Sequence, residues 1–137
     1  MRKQGWENHF SEFLKRHNGK SFKRGNNDCA LFAANGIDVL TGNDYGLSFR
    51  GLYKSKSQAQ NILKEQGFED LESVADAFLG DAYHSVFYAQ RGDCVLIEYE
   101  SETALGLVDL TGQMAVTTGK DGLVKYKPEF WVKAWKV

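Results

Sequence analysis

Apolar residues recur at helical spacing through the first eighty residues of the chain and closer to strand spacing after that. This periodicity is the main guide to secondary structure in a single sequence. The predicted helices run from Trp6 to near Asn18, from Cys29 to Gly42, from Ser55 or Ser57 to Gly67, and from Leu71 to Gly80. The first half of the chain is therefore predicted to be helical.

From about residue 82 the pattern changes to short apolar or alternating runs that are separated by turn formers. The predicted strands are 93–100, 103–110, 114–118, 123–126 and 130–137. Helices followed by consecutive strands predict an α+β fold, in which helices pack on one side of an antiparallel meander. A length of 137 residues without a linker or repeat predicts a single domain over 1–137.

The segment 24–42 carries the strongest chemical signal. Asn27 or Asp28 can cap the predicted second helix, which places Cys29 in its first turn, behind a polar loop. Free N–H groups and the helix dipole favour a thiolate there, and the same N–H groups can hold an oxyanion. The competing interpretation is that Cys29 is a small apolar residue at a helix end.

A thiol hydrolase also needs a base, which is usually a histidine. His9 and His17 lie on the first predicted helix and are interpreted as surface or half-buried residues. His84 lies between the fourth helix and the first strand, so it is a weak candidate for the base, although its neighbours also suit a packed or surface residue. Asp28 is interpreted as a cap and not as an acid–base group.

A glycine-rich loop over 43–53 carries Tyr45, Phe49 and Tyr53. These aromatic residues either line a groove or close over the core, and Tyr45 and Tyr53 are pocket candidates. Basic residues recur over 15–24, and the favoured interpretation is a solvated face, with a phosphate or nucleic-acid contact as the minority one.

Composition narrows the class of protein further. With 17 basic and 18 acidic residues, the net charge is −1, which predicts no general attraction to nucleic acid. The sequence has no signal-peptide pattern and no apolar run long enough to predict a membrane span. Two cysteines allow one internal bridge at most, and no zinc-type cluster or cofactor motif is predicted.

Several motifs carry a family resemblance. Residues 27–32, Asn-Asp-Cys-Ala-Leu-Phe, resemble the nucleophile motif of the NlpC-like cell-wall peptidases, which have a papain-like fold. Residues 91–95 are similar to the Gly-Asp turn before their first central strand, and residues 104–108 lie where they carry the catalytic histidine. Nearly the whole chain resembles a compact phage- and prophage-encoded branch of that superfamily, of unknown function.

The resemblance implies a nucleophile at Cys29 and a general base at position 104, where this chain has Ala104. Asp28 and Ala104 are pocket candidates together with Tyr45 and Tyr53. It therefore implies a catalytically degenerate, virion- or tail-associated protein that binds a peptide or a partner. Such a protein would be made in the host cytoplasm and incorporated in the virion. The alternative that remains open is an active cysteine peptidase or amidase that cleaves peptidoglycan stem peptides.

Overall fold

A computed structural model describes all residues from 1 to 137 and shows helices followed by a sheet. The helices are α1 (Trp6–His17), α2 (Cys29–Thr41), α3 (Lys56–Glu65) and α4 (Leu71–Leu79). The strands are β1 (Cys94–Tyr99), β2 (Glu102–Val108), β3 (Ala115–Gly119), β4 (Gly122–Tyr126) and β5 (Trp131–Trp135). The α+β prediction is confirmed.

All strand pairs are antiparallel, and the order across the sheet is β4-β3-β2-β1-β5. The first four strands form the predicted meander, whereas β5 returns to pair with β1. The strand alternation did not predict that return, because it carries no information about which edge of the sheet the last strand joins. This arrangement makes β1 and β2 interior strands of the sheet.

The helices cover one face of the sheet. Phe10 and Phe13 of α1 and Phe32 of α2 form the main core with Leu107 of β2 and Trp135 of β5, and each of these side chains is almost fully buried. A large aromatic cluster of this kind is the dominant apolar contribution to a small core. The α2 helix thus lies directly between α1 and the sheet.

The opposite face of the sheet has a smaller core that none of the four α-helices covers. Val95, Ile97 and Val108 project there with Trp131. Loop residues such as Tyr83 cover them, and the Tyr83 N–H donates to the carbonyl of Ala134 on β5, 2.9 Å away. The two faces of the sheet therefore differ in their cover, and the helical face has the larger buried cluster.

A third cluster lies beside α2 and gives the candidate site its walls. Leu31, Phe49 and Tyr53 are buried together and pack against side chains of α3 and α4.

None of the four helices combines the length and the apolar character that a membrane crossing requires. The structure leaves the papain-like assignment as a prediction.

Candidate functional site

A cavity of about 410 Å³ lies beside the first turn of α2. Its walls come from α2, α3, α4, the 45–53 loop and the start of β2, and 18 of its 28 lining residues are hydrophobic. Exposed Lys56 and Glu102 form an ion pair of 3.9 Å between two of these walls. A mainly apolar concavity with few polar groups is the usual form of a ligand site.

Asp28 caps α2 and organises the polar side of this cavity. Its carboxylate accepts hydrogen bonds from the N–H of Leu31 at 2.9 Å, from the N–H of Gly25 at 2.9 Å and from the Tyr53 hydroxyl at 2.6 Å. The carboxylate is buried, and three donors offset the cost of removing its charge from water. The interpretation of Asp28 as a cap is confirmed.

Gly25 allows the loop before α2 to approach the loop before α3. Its φ is +81°, and a Cβ atom there would collide with the carbonyl oxygen of Tyr53. The N–H of Gly51 donates to the Gly25 carbonyl at 2.8 Å, which joins the two loops. A glycine is required at this position for both conformational and steric reasons.

Cys29 is the first residue of α2 and lines the cavity. Part of the residue is exposed, yet burial raises the pKa of its thiol to about 11. The backbone N–H groups of Leu105 and Ala30 act in the opposite direction, while the adjacent Asp28 charge raises the pKa further. Desolvation and the neighbouring anion thus act against the thiolate that the helix terminus favours.

The β2 residue that faces Cys29 is Leu105. Successive side chains of a strand point to opposite faces, so Leu105 and Thr103 line the cavity and Ala104 does not. Ala104 pairs with Ile97, whose side chain belongs to the core of the opposite face. The proposed pocket position at Ala104 therefore lies on the other side of the sheet.

None of the three histidines lines the cavity. His84 is exposed and follows Tyr83, which packs on the opposite face of the sheet, so the structure does not bring His84 to Cys29. His9 is exposed, whereas His17 is buried against Phe13 and Phe32. His17 was expected at the surface or half-buried, but the aromatic residues between α1 and α2 enclose its ring.

The 43–53 loop both lines the cavity and covers the core. Tyr45, Phe49 and Tyr53 all line the cavity, so the structure brings both tyrosine candidates to the side of Cys29. An ion pair of 2.9 Å between Arg50 and Asp44 closes the loop, and Arg50 also donates to Asn35 of α2 at 2.6 Å. The two interpretations of this loop are therefore compatible.

Two further cavity residues were not predicted from the sequence. Cys94 is a free, buried thiol that lines the same cavity, and burial raises its pKa to about 12. Arg24 was predicted only as part of a basic run, but it also lines the cavity. The alternation of side chains along β1 was the sequence signal from which Cys94 could have been placed on the helix-covered face of the sheet.

No group of His, Cys, Asp and Glu residues is placed to hold a metal ion.

One protein family matches this chain. Its sequence profile covers residues 1–137 and is described as Domain of unknown function (DUF6950). The chain belongs to this family. A comparison with curated proteins finds none that matches the chain. Membership in DUF6950 therefore supports a single domain over the full length and leaves its chemistry to be argued from the cavity.

Proposed function

We propose that this DUF6950 protein is a non-catalytic binding domain that holds the apolar part of a peptide or of a partner protein in the cavity beside Cys29. The observation that carries the proposal is a mainly apolar cavity with no histidine among its lining residues. The cysteine in this cavity has a raised pKa. Such a site retains the shape of a binding pocket, and its lining lacks the imidazole that usually accepts the proton of a catalytic thiol.

The protonation of Cys29 argues against catalysis. Burial raises the pKa of this thiol to about 11, so the neutral thiol and not the nucleophilic thiolate is favoured at pH 7. The residue of β2 that faces it, Leu105, has an aliphatic side chain. Loss of the base removes most of the rate of a triad-type site, leaving the contribution of binding and of the oxyanion hole.

The papain-like, NlpC-type architecture and the phage setting form the second part of the proposal. In support of that architecture, a helix that begins with Cys29 packs against interior strand β2 of an antiparallel sheet. The sequence resemblance supports incorporation in a virion or tail, with another virion protein or a peptidoglycan peptide as the partner. Purified particles that lack the protein by mass spectrometry would count against this setting.

A second candidate is an active thiol peptidase or amidase that acts on peptidoglycan stem peptides. Its support is the position of Cys29 at a helix start, where the N–H groups of Ala30 and Leu105 lie close enough to the sulfur to lower its pKa. Those N–H groups suit an oxyanion, and this candidate requires a base other than histidine, since no histidine lines the cavity.

The test is the rate at which iodoacetamide alkylates Cys29 as a function of pH, with the modified residue identified by mass. Because the thiolate is the reactive form, we expect the rate to rise about tenfold per pH unit and to level off only near pH 11. Purified peptidoglycan incubated with the wild type and with Cys29→Ala should give the same products. A plateau below pH 8, together with products that only the wild type releases, would establish the peptidase instead.

A further inference from the structure

A second, smaller pocket of about 350 Å³ adjoins the cavity beside Cys29. Three of its seven lining residues are cationic, namely Lys23, Arg24 and Lys54, and none is acidic. The others supply glycine backbone, an asparagine and Tyr53. We refer to Lys23, Arg24 and Lys54 as the basic cluster.

No member of the basic cluster forms an ion pair within the protein. Arg2, Arg50 and Lys133, by contrast, each contact a carboxylate within 3.2 Å. Like charges that are gathered without a counter-ion repel one another, so an anion that binds among them is stabilised. The basic cluster thus differs from the strongly paired cations of this protein.

The basic cluster has a defined geometry although two of its members are exposed. The loop that carries Lys23 and Arg24 is joined to the loop that carries Lys54 through the contact of Gly25 with Gly51 and Tyr53. The Lys23 N–H also donates to the Asn27 carbonyl at 3.1 Å. Because these contacts already hold the backbone of both loops, an anion that binds here orders little further backbone, which favours its affinity.

Arg24 connects the basic cluster to the apolar cavity. It is half-buried, it lines both concavities, and its guanidinium lies 4.9 Å over the ring of Phe22. Its charge acts to lower the pKa of both Cys29 and Tyr53, which line the same cavity. Arg24 forms no ion pair with Asp28, whose carboxylate oxygens accept hydrogen bonds from Gly25, Leu31 and Tyr53 instead.

We propose that the ligand of this site is a peptide that carries a carboxylate, with its apolar side chains in the cavity beside Cys29 and its carboxylate on the basic cluster. This inference rests on the proposed binding function and adds the charge that the ligand must have. Arginine and lysine together offer a carboxylate both a forked donor and a point charge.

The alternative ligand is a nucleic acid, whose phosphates would contact the same cations. The apolar cavity favours the peptide, because aliphatic side chains can fill it without burying the polar edges that a nucleobase carries. Lys15 and Arg16, which lie on α1, do not line the pocket either, so the basic run of the sequence is not one continuous surface in the structure. Phosphate binding is nonetheless a measurable outcome of the test.

The experiment is an NMR titration of the full chain with three small probes at fixed ionic strength. Acetyl-leucyl-leucine carries a terminal carboxylate, its C-terminal amide carries none, and acetyl-leucyl-glutamate α-amide carries the carboxylate on a side chain. We expect at least one acid to bind about tenfold more tightly than the neutral amide, with shifts at Arg24, Tyr53 and Cys29. The stronger acid identifies the terminal or the side-chain carboxylate.

Two pairs of variants separate the charge from the cavity. Arg24→Gln should remove most of the tenfold preference for the acid, whereas Lys136→Gln, at an exposed and unpaired lysine near the chain end, should retain it. Ala59→Phe fills the cavity and should weaken both acid and amide, while Asn61→Phe, on the exposed side of α3, should weaken neither.

The outcomes distinguish this inference from the function on which it rests. Equal binding of acid and amide, abolished by Ala59→Phe, would overturn the role of the basic cluster and keep the binding cavity. No saturable binding of any probe would overturn both. Tight binding of a single-stranded oligonucleotide that weakens with salt and with Arg24→Gln, without a preference for the acid peptides, would replace the peptide by a nucleic acid.

Discussion

The protein contains the dipeptide Asp-Cys twice, at 28–29 and at 93–94, and the two copies have different surroundings. Both carboxylates are almost fully buried, and each accepts a hydrogen bond from a tyrosine, Tyr53 at 2.6 Å and Tyr83 at 2.8 Å. Both cysteines line the same cavity, and burial is the first cause that raises the pKa of each thiol.

The two carboxylates have different partners and therefore different structural roles. Asp93 forms an ion pair of 2.9 Å with Arg2 and accepts hydrogen bonds from the N–H groups of Gln90 and Val137, so it joins the two ends of the chain to the start of β1. Asp28 has no cation and joins three segments around the cavity. An Asp-Cys pair therefore does not by itself identify a nucleophile.

The cysteines differ in access. Cys94 begins a strand and is 1% exposed, whereas Cys29 begins a helix and is only partly buried. No histidine lines the cavity that they share, and each has a neighbouring aspartate whose charge disfavours its thiolate. The helix start thus leaves Cys29 accessible to a ligand, while burial first, and the neighbouring carboxylate second, raise the pKa of its thiol.

The largest expected effect comes from removing the charge that joins the chain ends. Asp93→Asn should lower the free energy of unfolding by about 3 kcal/mol, because a buried ion pair loses one partner and the new amide turns a donor toward existing donors. Urea denaturation measures this. Asp81→Asn, at an exposed residue, is the control and should change stability by less than about 0.5 kcal/mol. Equal losses of stability in Asp93→Asn and Asp81→Asn would show that Asp93 does not hold the chain ends together.

Asp28→Asn should cost less stability and change the chemistry of the neighbouring thiol. We expect a loss of about 2 kcal/mol, since asparagine still caps a helix but cannot accept from all three donors. The pKa of Cys29 should fall below its present value of about 11, because the adjacent negative charge is gone. Alkylation against pH measures this shift.

The matched control for Asp28→Asn is Asp70→Asn, which changes the exposed cap of α4. It should leave stability nearly unchanged, because asparagine and aspartate cap helices about equally well. An unchanged alkylation profile of Cys29 in Asp28→Asn would show that the carboxylate does not control the thiol.

The smallest expected effect compares the two tyrosines. Tyr53→Phe should cost about 1.5 kcal/mol, because the hydroxyl bond to Asp28 is buried, and Tyr83→Phe should cost about 0.5 kcal/mol, because that residue is partly exposed and Asp93 keeps its ion pair. Thermal or urea unfolding measures both. If Tyr83→Phe cost more stability than Tyr53→Phe, the tyrosine hydrogen bond would matter more at the chain ends than at the cavity.

Local sequence patterns determined much of this fold. The helical spacing of apolar residues, the caps Asp28 and Ser55 and the turn residues Gly42 and Gly80 predicted four helices that the structure contains. The period change near residue 82 predicted an α+β domain. These features are local, because capping and periodicity depend on residues within one or two helical turns.

Tertiary structure alone decided which residues surround Cys29. The register of β2 placed Leu105 on the cavity and Ala104 on the other face, and a shift by one residue reverses that assignment. The loop contact through Gly25 placed Arg24 and Lys54 in one pocket although they are far apart in the chain. The sequence predicted the cysteine at a helix start, but its pKa depends on burial and on neighbours that only the packed chain brings together.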